Sequence, residues 1–98
     1  MHMASGLVII GYIRRPGIVD VQYMAQIIRR NEARGIIVFR DPPTYNVKIR
    51  ALHGEVELVE ERNFKKKAQE LEARFKEEGY SVVRKNLMDV RDGMRDPM

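Results

Sequence analysis

The chain has 98 residues and a net charge of +4, with 18 Lys and Arg against 14 Asp and Glu, and it contains no cysteine. This length allows one domain with a single core, and the absence of cysteine excludes disulfides, thiolate metal ligands and a cysteine nucleophile. No apolar run approaches the ~20 residues of a membrane span, so we expect a cytoplasmic protein with no membrane partner.

The positive charge has two interpretations. Twelve of the 18 cations are Arg, whose planar donor fork suits phosphate, and a clustered basic surface would bind nucleic acid by displacing its counterions. Alternatively, the charges form a solvated surface rich in ion pairs, as in thermostable proteins. Both interpretations stay open at this point.

One domain is expected over residues 7–88. Residues 1–6 (MHMASG) look like a remnant of cloning. Residues 89–98 contain Asp92-Gly93 and Asp96-Pro97, a composition that is typical of a flexible tail.

The first half of the domain predicts a β-α-β unit. Leu7–Ile10 and Ile36–Phe39 are uniformly apolar, which indicates strands covered on both faces. Between them, apolar residues recur at the spacing of one helix face: Val21, Met24, Ala25 and Ile28. Asp20 is placed to cap this helix and Gly35 to end it. Two strands joined by one helix pack in parallel with a right-handed connection.

Residues 45–60 allow two interpretations. Apolar and polar residues alternate on both sides of His53-Gly54, which predicts a β-hairpin with these two residues as its turn. Alternatively, Thr44 caps a short helix that has Val47 and Ala51 on one face, and only Glu55–Glu60 forms a strand. We predict the hairpin, and the helix stays as the alternative.

The last predicted helix begins after Asn63, which is placed to cap it, and its apolar stripe is narrow: Phe64, Ala68, Leu71 and Phe75. A final strand is expected at Tyr80–Arg84. The order β-α-β-(β-β)-α-β predicts an α/β fold with a small mixed sheet and two main helices, with an α+β arrangement as the alternative.

A candidate site lies where the first two strands end. In open α/β sheets, ligands bind beyond the carboxyl ends of parallel strands. Arg14 and Arg15 follow the first strand, Arg40 follows the second, and the start of the first helix would add partial positive charge. We therefore predict a phosphate or carboxylate site there, with Arg29 and Arg30 of the helix as further nucleic-acid contacts. Alternatively, these are ordinary loops whose charges pair with their neighbours, as Arg40 and Asp41 would.

No cofactor, catalytic site or metal site is predicted. The loop after the first strand lacks the glycine spacing of nucleotide-binding loops. The run Lys65–Lys67 is interpreted as a solvated face, because glutamates on both sides neutralise it. Glu55 and Glu57 share one strand face, but Glu57 is expected to pair with Arg50 across the hairpin. His53 has no second histidine or serine in a recognisable context, so a catalytic or metal role is not assigned to it.

Four segments carry a resemblance to a known fold: LVIIGYI, VDVQYMAQIIRRN, GIIVF, and the run from Thr44 to the strand EVELVEE. Their order, over roughly residues 7–64, resembles part of the restriction-endonuclease-like fold, as in Mrr-type nucleases and the non-catalytic jaw domain of a eukaryotic RNA polymerase subunit. The nucleases carry an acidic or amide residue, a spacer and a lysine on the first of these strands, where this chain has Val8–Gly11. The resemblance therefore implies a non-catalytic member, and it favours a short helix over Tyr45–Ala51.

Three functions remain open. The first, which we expect, is a non-enzymatic module that binds nucleic acid or belongs to a nucleic-acid-handling assembly, with these phosphate contacts: Arg14, Arg15, Arg29, Arg30 and Arg40. The second is a metal-dependent nuclease completed by dimerisation, using Asp41, Glu55 or Glu57. The third is a protein-interaction or assembly domain, such as a homodimer formed at an exposed sheet edge.

Overall fold

The computed structural model describes residues 6–94, in which strands and helices alternate strictly. The eight elements are β1 (Leu7–Tyr12), α1 (Ile18–Asn31), β2 (Arg34–Phe39), α2 (Tyr45–His53), β3 (Val56–Glu60), α3 (Phe64–Glu77), β4 (Ser81–Asn86) and α4 (Leu87–Met94). This alternation confirms the predicted α/β class. Within residues 6–94 there are four helices. The two predicted main helices are α1 and α3, of 14 residues each, and the shorter α2 and α4 are additional.

All four strands are parallel, in the spatial order β3-β2-β1-β4. The chain moves from β1 outward to β2 and β3, and α3 then carries it back across the sheet to β4 on the other side of β1. The predicted mixed sheet, and the α+β alternative, were therefore wrong. Because the strands share one direction, their carboxyl ends form a single edge of the sheet, which we call the carboxyl edge.

The segment after β2 is the helix α2, and the predicted hairpin was wrong. The hydroxyl of Thr44 accepts a hydrogen bond from the Val47 backbone N–H at 3.4 Å, which caps the helix. Val47 and Ala51 are buried four residues apart on one helix face, so the same apolar pattern serves a helix as well as a strand. The expected Arg50–Glu57 pair is absent from residues 6–94, because β3 pairs with β2 and Glu57 binds Arg34 at 2.7 Å.

The sheet separates two cores. On one face, α1 and α2 cover the sheet, and α1 buries the predicted residues Val21, Met24 and Ile28, while Ala25 is half-buried. On the other face lies α3, which buries its predicted stripe against β1 and β2 through Ala68, Leu71 and Phe75. The doubly covered strands β1 and β2 are the central pair, as the uniformly apolar runs indicated.

Helix α4 follows β4 directly and occupies the region predicted to be a tail. Leu87 is 1% exposed, and a Cβ placed on Gly11 would lie only 2.9 Å from its Cδ1 atom. The predicted domain end at residue 88 therefore falls inside a helix, and residues 89–94 are helical. Residues 1–5, most of the predicted cloning remnant, and residues 95–98 lie outside the described part of the chain.

Gly35 lies in β2 and does not end α1. The helix ends at Asn31, and Glu32 adopts a left-handed conformation with a φ of 51°. Gly35 is buried directly under α1, where an added Cβ would lie 2.5 Å from the Cγ2 atom of Ile28. Close packing of α1 on the sheet therefore requires glycine at this position.

Gly35→Ala is expected to destabilise the fold by about 1–3 kcal/mol, because α1 must move to admit the methyl group. The free energy of unfolding, measured by urea denaturation, checks this expectation. The matched control is Gly93→Ala in α4, where a Cβ would meet nothing within 4 Å. Equal stability of the two variants would contradict the packing described.

Candidate nucleic-acid interface

Backbone hydrogen bonds hold the loops after β1, β2 and β3 together at the carboxyl edge. The carbonyl oxygen of Arg14 accepts from two consecutive N–H groups, those of Arg40 at 3.0 Å and Asp41 at 2.8 Å. The N–H of Glu61 donates to the carbonyl oxygen of Phe39 at 2.8 Å, which fixes the third loop in the same way. These bonds extend the pairing beyond the ends of the strands, so the side chains of three loops share one surface.

Asp41 accepts a hydrogen bond from each of two arginines. Its Oδ2 atom lies 2.9 Å from Nε of Arg14, and its Oδ1 atom lies 3.2 Å from Nε of Arg40. The Arg14 side chain is 68% exposed, whereas that of Asp41 is 25% exposed. The pairing that the alternative interpretation expected between Arg40 and Asp41 is thus present within the loop after β2. The contact between Arg14 and Asp41 joins the two predicted site loops.

These contacts lower the pKa of Asp41. The hydrogen bond from Arg40 is the largest cause, desolvation opposes it, and the hydrogen bond from Arg14 adds to the lowering. A carboxyl whose pKa is depressed by folding stabilises the fold above its unfolded-state pKa, and this contribution disappears as the pH falls through the folded-state pKa. At neutral pH the Asp41 group is therefore a carboxylate that accepts from both arginines.

A groove beside this arginine pair is lined mainly by cations. It has a volume of about 560 Å³ and is lined by Arg40, Arg62, Asn63, Phe64, Lys65 and Lys66. Phe64 is half-buried, and its ring centroid lies 6.5 Å from that of Tyr12. The groove therefore combines cationic side chains with one aromatic ring at the carboxyl edge.

The cations supplied by the β3–α3 connection were missed as site residues. Arg62 was not considered, and Lys65 and Lys66 were assigned to a solvated face. Once β3 runs parallel to β2, its carboxyl end brings this connection beside Arg40. The signal in the sequence was the basic run after a strand, but the sequence did not give the order of the strands, so it did not place this run beside Arg40.

Arg29 and Arg30 do not share this edge with Arg14, Arg15 and Arg40. They lie in the last turn of α1, which begins at the carboxyl edge. Because α1 has 14 residues, it is about 21 Å long, and its last turn lies far from that edge. Arg29 instead lines a groove of about 630 Å³ at the opposite end of the sheet, among side chains of both signs: Glu32, Arg34, His53 and Glu55. The structure thus brings together three of the five predicted arginines.

The crevice between β1 and β4, where the strand order reverses, is filled by α4. Doubly wound folds bind ligands at this crevice, next to the start of the first helix. Here Leu87 packs over Gly11, and Arg91 reaches Asp20 with its Nε atom 3.0 Å from Oδ1 and its Nη2 atom on Oδ2. The hydrogen bond from Arg91 to Asp20 raises the pKa of the Arg91 guanidinium.

Asp20 lies in the first turn of α1, and its side chain bonds back to the residue that precedes the helix. Gly17 is the cap residue, and Asp20, three residues later, accepts a hydrogen bond from the Gly17 N–H at 2.7 Å. The prediction that Asp20 itself is the cap residue was wrong by three positions. Asp20 is 2% exposed, and its carboxylate lies at the start of α1, where it offsets the partial positive charge that we expected to attract an anion.

The three acids considered for metal-dependent chemistry are dispersed. Asp41 lies at the carboxyl edge, whereas Glu55 and Glu57 lie at the start of β3, where Glu57 pairs with Arg34. Over residues 6–94, no three His, Cys, Asp or Glu side chains come close enough to hold a metal ion.

None of the helices in this part of the chain is long and apolar enough to cross a membrane.

No protein-family model, curated protein or solved structure was found to match this chain. The resemblance to the restriction-endonuclease-like fold therefore stays a prediction.

Arg91→Met is expected to destabilise the fold by about 1–3 kcal/mol, because it leaves the Asp20 carboxylate buried without its cation. Arg84→Met is the matched control: each arginine side chain is 32% exposed, but the partner of Arg84, Glu72, is 21% exposed while Asp20 is 2% exposed. Removing the more exposed pair should change the free energy of unfolding by less than about 1 kcal/mol. Urea denaturation of both variants checks the difference, and equal losses would contradict it.

Proposed function

We propose that the protein binds nucleic acid through the carboxyl edge of its sheet, without catalysing a reaction on it. The observation that carries the proposal is the groove lined by Arg40, Arg62, Lys65 and Lys66. It adjoins the loop that carries Arg14 and Arg15, because Arg14 and Arg40 share Asp41. Guanidinium and ammonium groups on one surface suit a polyphosphate backbone, which releases counterions when they bind.

The balance of charge at this edge supports a polyanion as the partner. Seven cationic side chains come from the three loops and the start of α3: Arg14, Arg15, Arg40, Arg62, Lys65, Lys66 and Lys67. The acids there number three, namely Asp41, Glu60 and Glu61, and Asp41 already accepts from two of the arginines. A local excess of cations attracts phosphates and raises the rate of encounter.

Binding without catalysis fits the arrangement better than the alternative of a metal-dependent nuclease. Phosphodiester cleavage with a metal needs carboxylates gathered around the ion. The acids that were candidates, Asp41, Glu55 and Glu57, lie at opposite ends of the sheet. Most of the side chains that line the cationic groove are donors suited to holding phosphates in place.

Arg14→Ala/Arg40→Ala is expected to weaken binding to labelled single-stranded and duplex oligonucleotides and to flatten its salt dependence. If each arginine contacts one phosphate, the slope of log affinity against log salt should fall in magnitude by about 1.8 on duplex DNA and about 1.4 on a single strand. Fluorescence polarisation over a salt series without divalent metal measures both quantities.

The matched control is Arg29→Ala/Arg30→Ala, which removes the same charge from the other end of the sheet. It should keep a slope close to that of the parent protein. Equal weakening by the two double variants would show that net charge alone drives binding. A parent protein that binds neither oligonucleotide at low salt would overturn the proposal.

We propose self-association as a second candidate function, because β4 is an edge strand with apolar side chains beside it. No strand of residues 6–94 pairs with its outer edge. Val83 of this strand is 38% exposed, and the helices on the same side of the sheet expose Val19 at 48% and Met88 at 43%. An open edge with apolar neighbours favours pairing with a second copy of the chain.

Val83→Lys is expected to shift a dimer to the monomer, because a charge on an edge strand opposes edge-to-edge pairing. Light scattering over a wide concentration range measures the mass of the parent protein and the variant. A parent protein that remains monomeric at every concentration would contradict this second candidate function.

A further inference from the structure

We infer that Asp41 is a positioning residue that holds the guanidinium groups of Arg14 and Arg40 together as one phosphate clamp. The inference rests on the proposed function and assigns a role to an acid inside a site for a polyanion. By charge alone, a carboxylate there would only oppose binding.

The geometry leaves the phosphate-binding part of each arginine available. Asp41 engages Nε of Arg14 and Nε of Arg40, one with each carboxylate oxygen. Among the hydrogen bonds within residues 6–94, none uses the Nη1 or Nη2 atoms of these two arginines. Those atoms form the end-on donor fork that binds phosphate oxygens in pairs.

The backbone fixes Asp41 where both arginines can reach it. The carbonyl oxygen of Arg14 accepts from the N–H groups of Arg40 and Asp41, so the backbones of the two loops are joined at this point. Two guanidinium groups repel each other, and each long side chain has many rotamers when free. One carboxylate between them offsets the repulsion and selects the rotamers that bring the two forks side by side.

The clamp and the net charge predict opposite changes in oligonucleotide affinity for Asp41→Asn. This substitution adds one positive charge to a protein of net charge +4, so charge alone predicts tighter binding to an oligonucleotide. Loss of the clamp predicts weaker binding, because two long side chains must then be ordered when the phosphate binds. Relative to a variant with the same added charge that keeps the clamp, we expect the affinity to be lower by at least about fivefold, which corresponds to the lower end of that ordering cost for two side chains.

Glu61→Gln provides the matched control for charge. Glu61 is an exposed acid on the same edge, and its side chain forms no ion pair within residues 6–94. Its neutralisation adds the same charge near the same groove without releasing an arginine. We expect Glu61→Gln to bind as tightly as the parent protein or more tightly.

A charge-conserving pair of substitutions keeps the inference testable if Asp41→Asn fails to fold. Arg14→Lys/Arg40→Lys retains both positive charges but removes the Nε donors and the planar forks. We expect this variant to bind more weakly than the parent protein at equal net charge. Affinity equal to that of the parent would overturn the clamp.

The experiment measures the affinity of the full chain for a labelled oligonucleotide by fluorescence polarisation at low salt, with folding checked by circular dichroism. Asp41→Asn is introduced both into the parent protein and into Arg14→Ala/Arg40→Ala. Weakening in the parent, and none in the background that lacks both arginines, supports the positioning role, because a merely structural role would weaken both.

Binding by Asp41→Asn that is as tight as that of Glu61→Gln would overturn the inference. The proposed function would then still stand, provided that the parent protein binds with a steep salt dependence that Arg14→Ala/Arg40→Ala removes. A parent protein that does not bind the oligonucleotide would overturn both the inference and the proposed function.

Discussion

The parallel direction of all four strands is the constraint on which the candidate site depends. It sends the loops after β1, β2 and β3 to one edge of the sheet, where backbone hydrogen bonds to Arg14 and Phe39 join them. Side chains that are up to about 50 residues apart in sequence, such as Arg14 and Lys65, therefore lie on one surface. If β3 ran antiparallel, its following connection would leave from the opposite end, and the groove beside Arg40 would not form.

Two of the ion-pair groups within residues 6–94 have different roles. Asp20 and Arg91 form a pair whose carboxylate is buried, and it attaches α4 across the crevice between β1 and β4. Breaking such a pair is costly because it strands a charge away from water. Asp41, Arg14 and Arg40 form an exposed group whose loss should affect stability little. Its cationic donors remain open to solvent, and for this reason we assign binding to the second group and structure to the first.

Much of the fold was readable from the sequence, because β1, α1 and β2 each have an apolar pattern that fits one element only. The structure of Tyr45–Ala51 could not be read from the sequence, because its apolar residues fit both a strand and a helix of about two turns. The Thr44 cap was visible as an alternative, but the choice depends on how α2 packs against α1 and how β3 pairs with β2. The same limit applies to the site. Arg14, Arg15 and Arg40 were predicted from the β1-α1-β2 unit, whereas the position of Arg62 and Lys65 depended on the pairing of β3 with β2.

The location of binding is the central claim, and an NMR titration tests it most directly. Amide shifts of the ¹⁵N-labelled full chain would be followed while an unlabelled oligonucleotide is added at low salt. We predict that the amide signals of the carboxyl edge shift together, in residues 14–15, 40–41 and 62–66, while those near Arg29 and His53 do not change. Shifts confined to the end of the sheet that carries Arg29 and His53, with no change at the carboxyl edge, would contradict it.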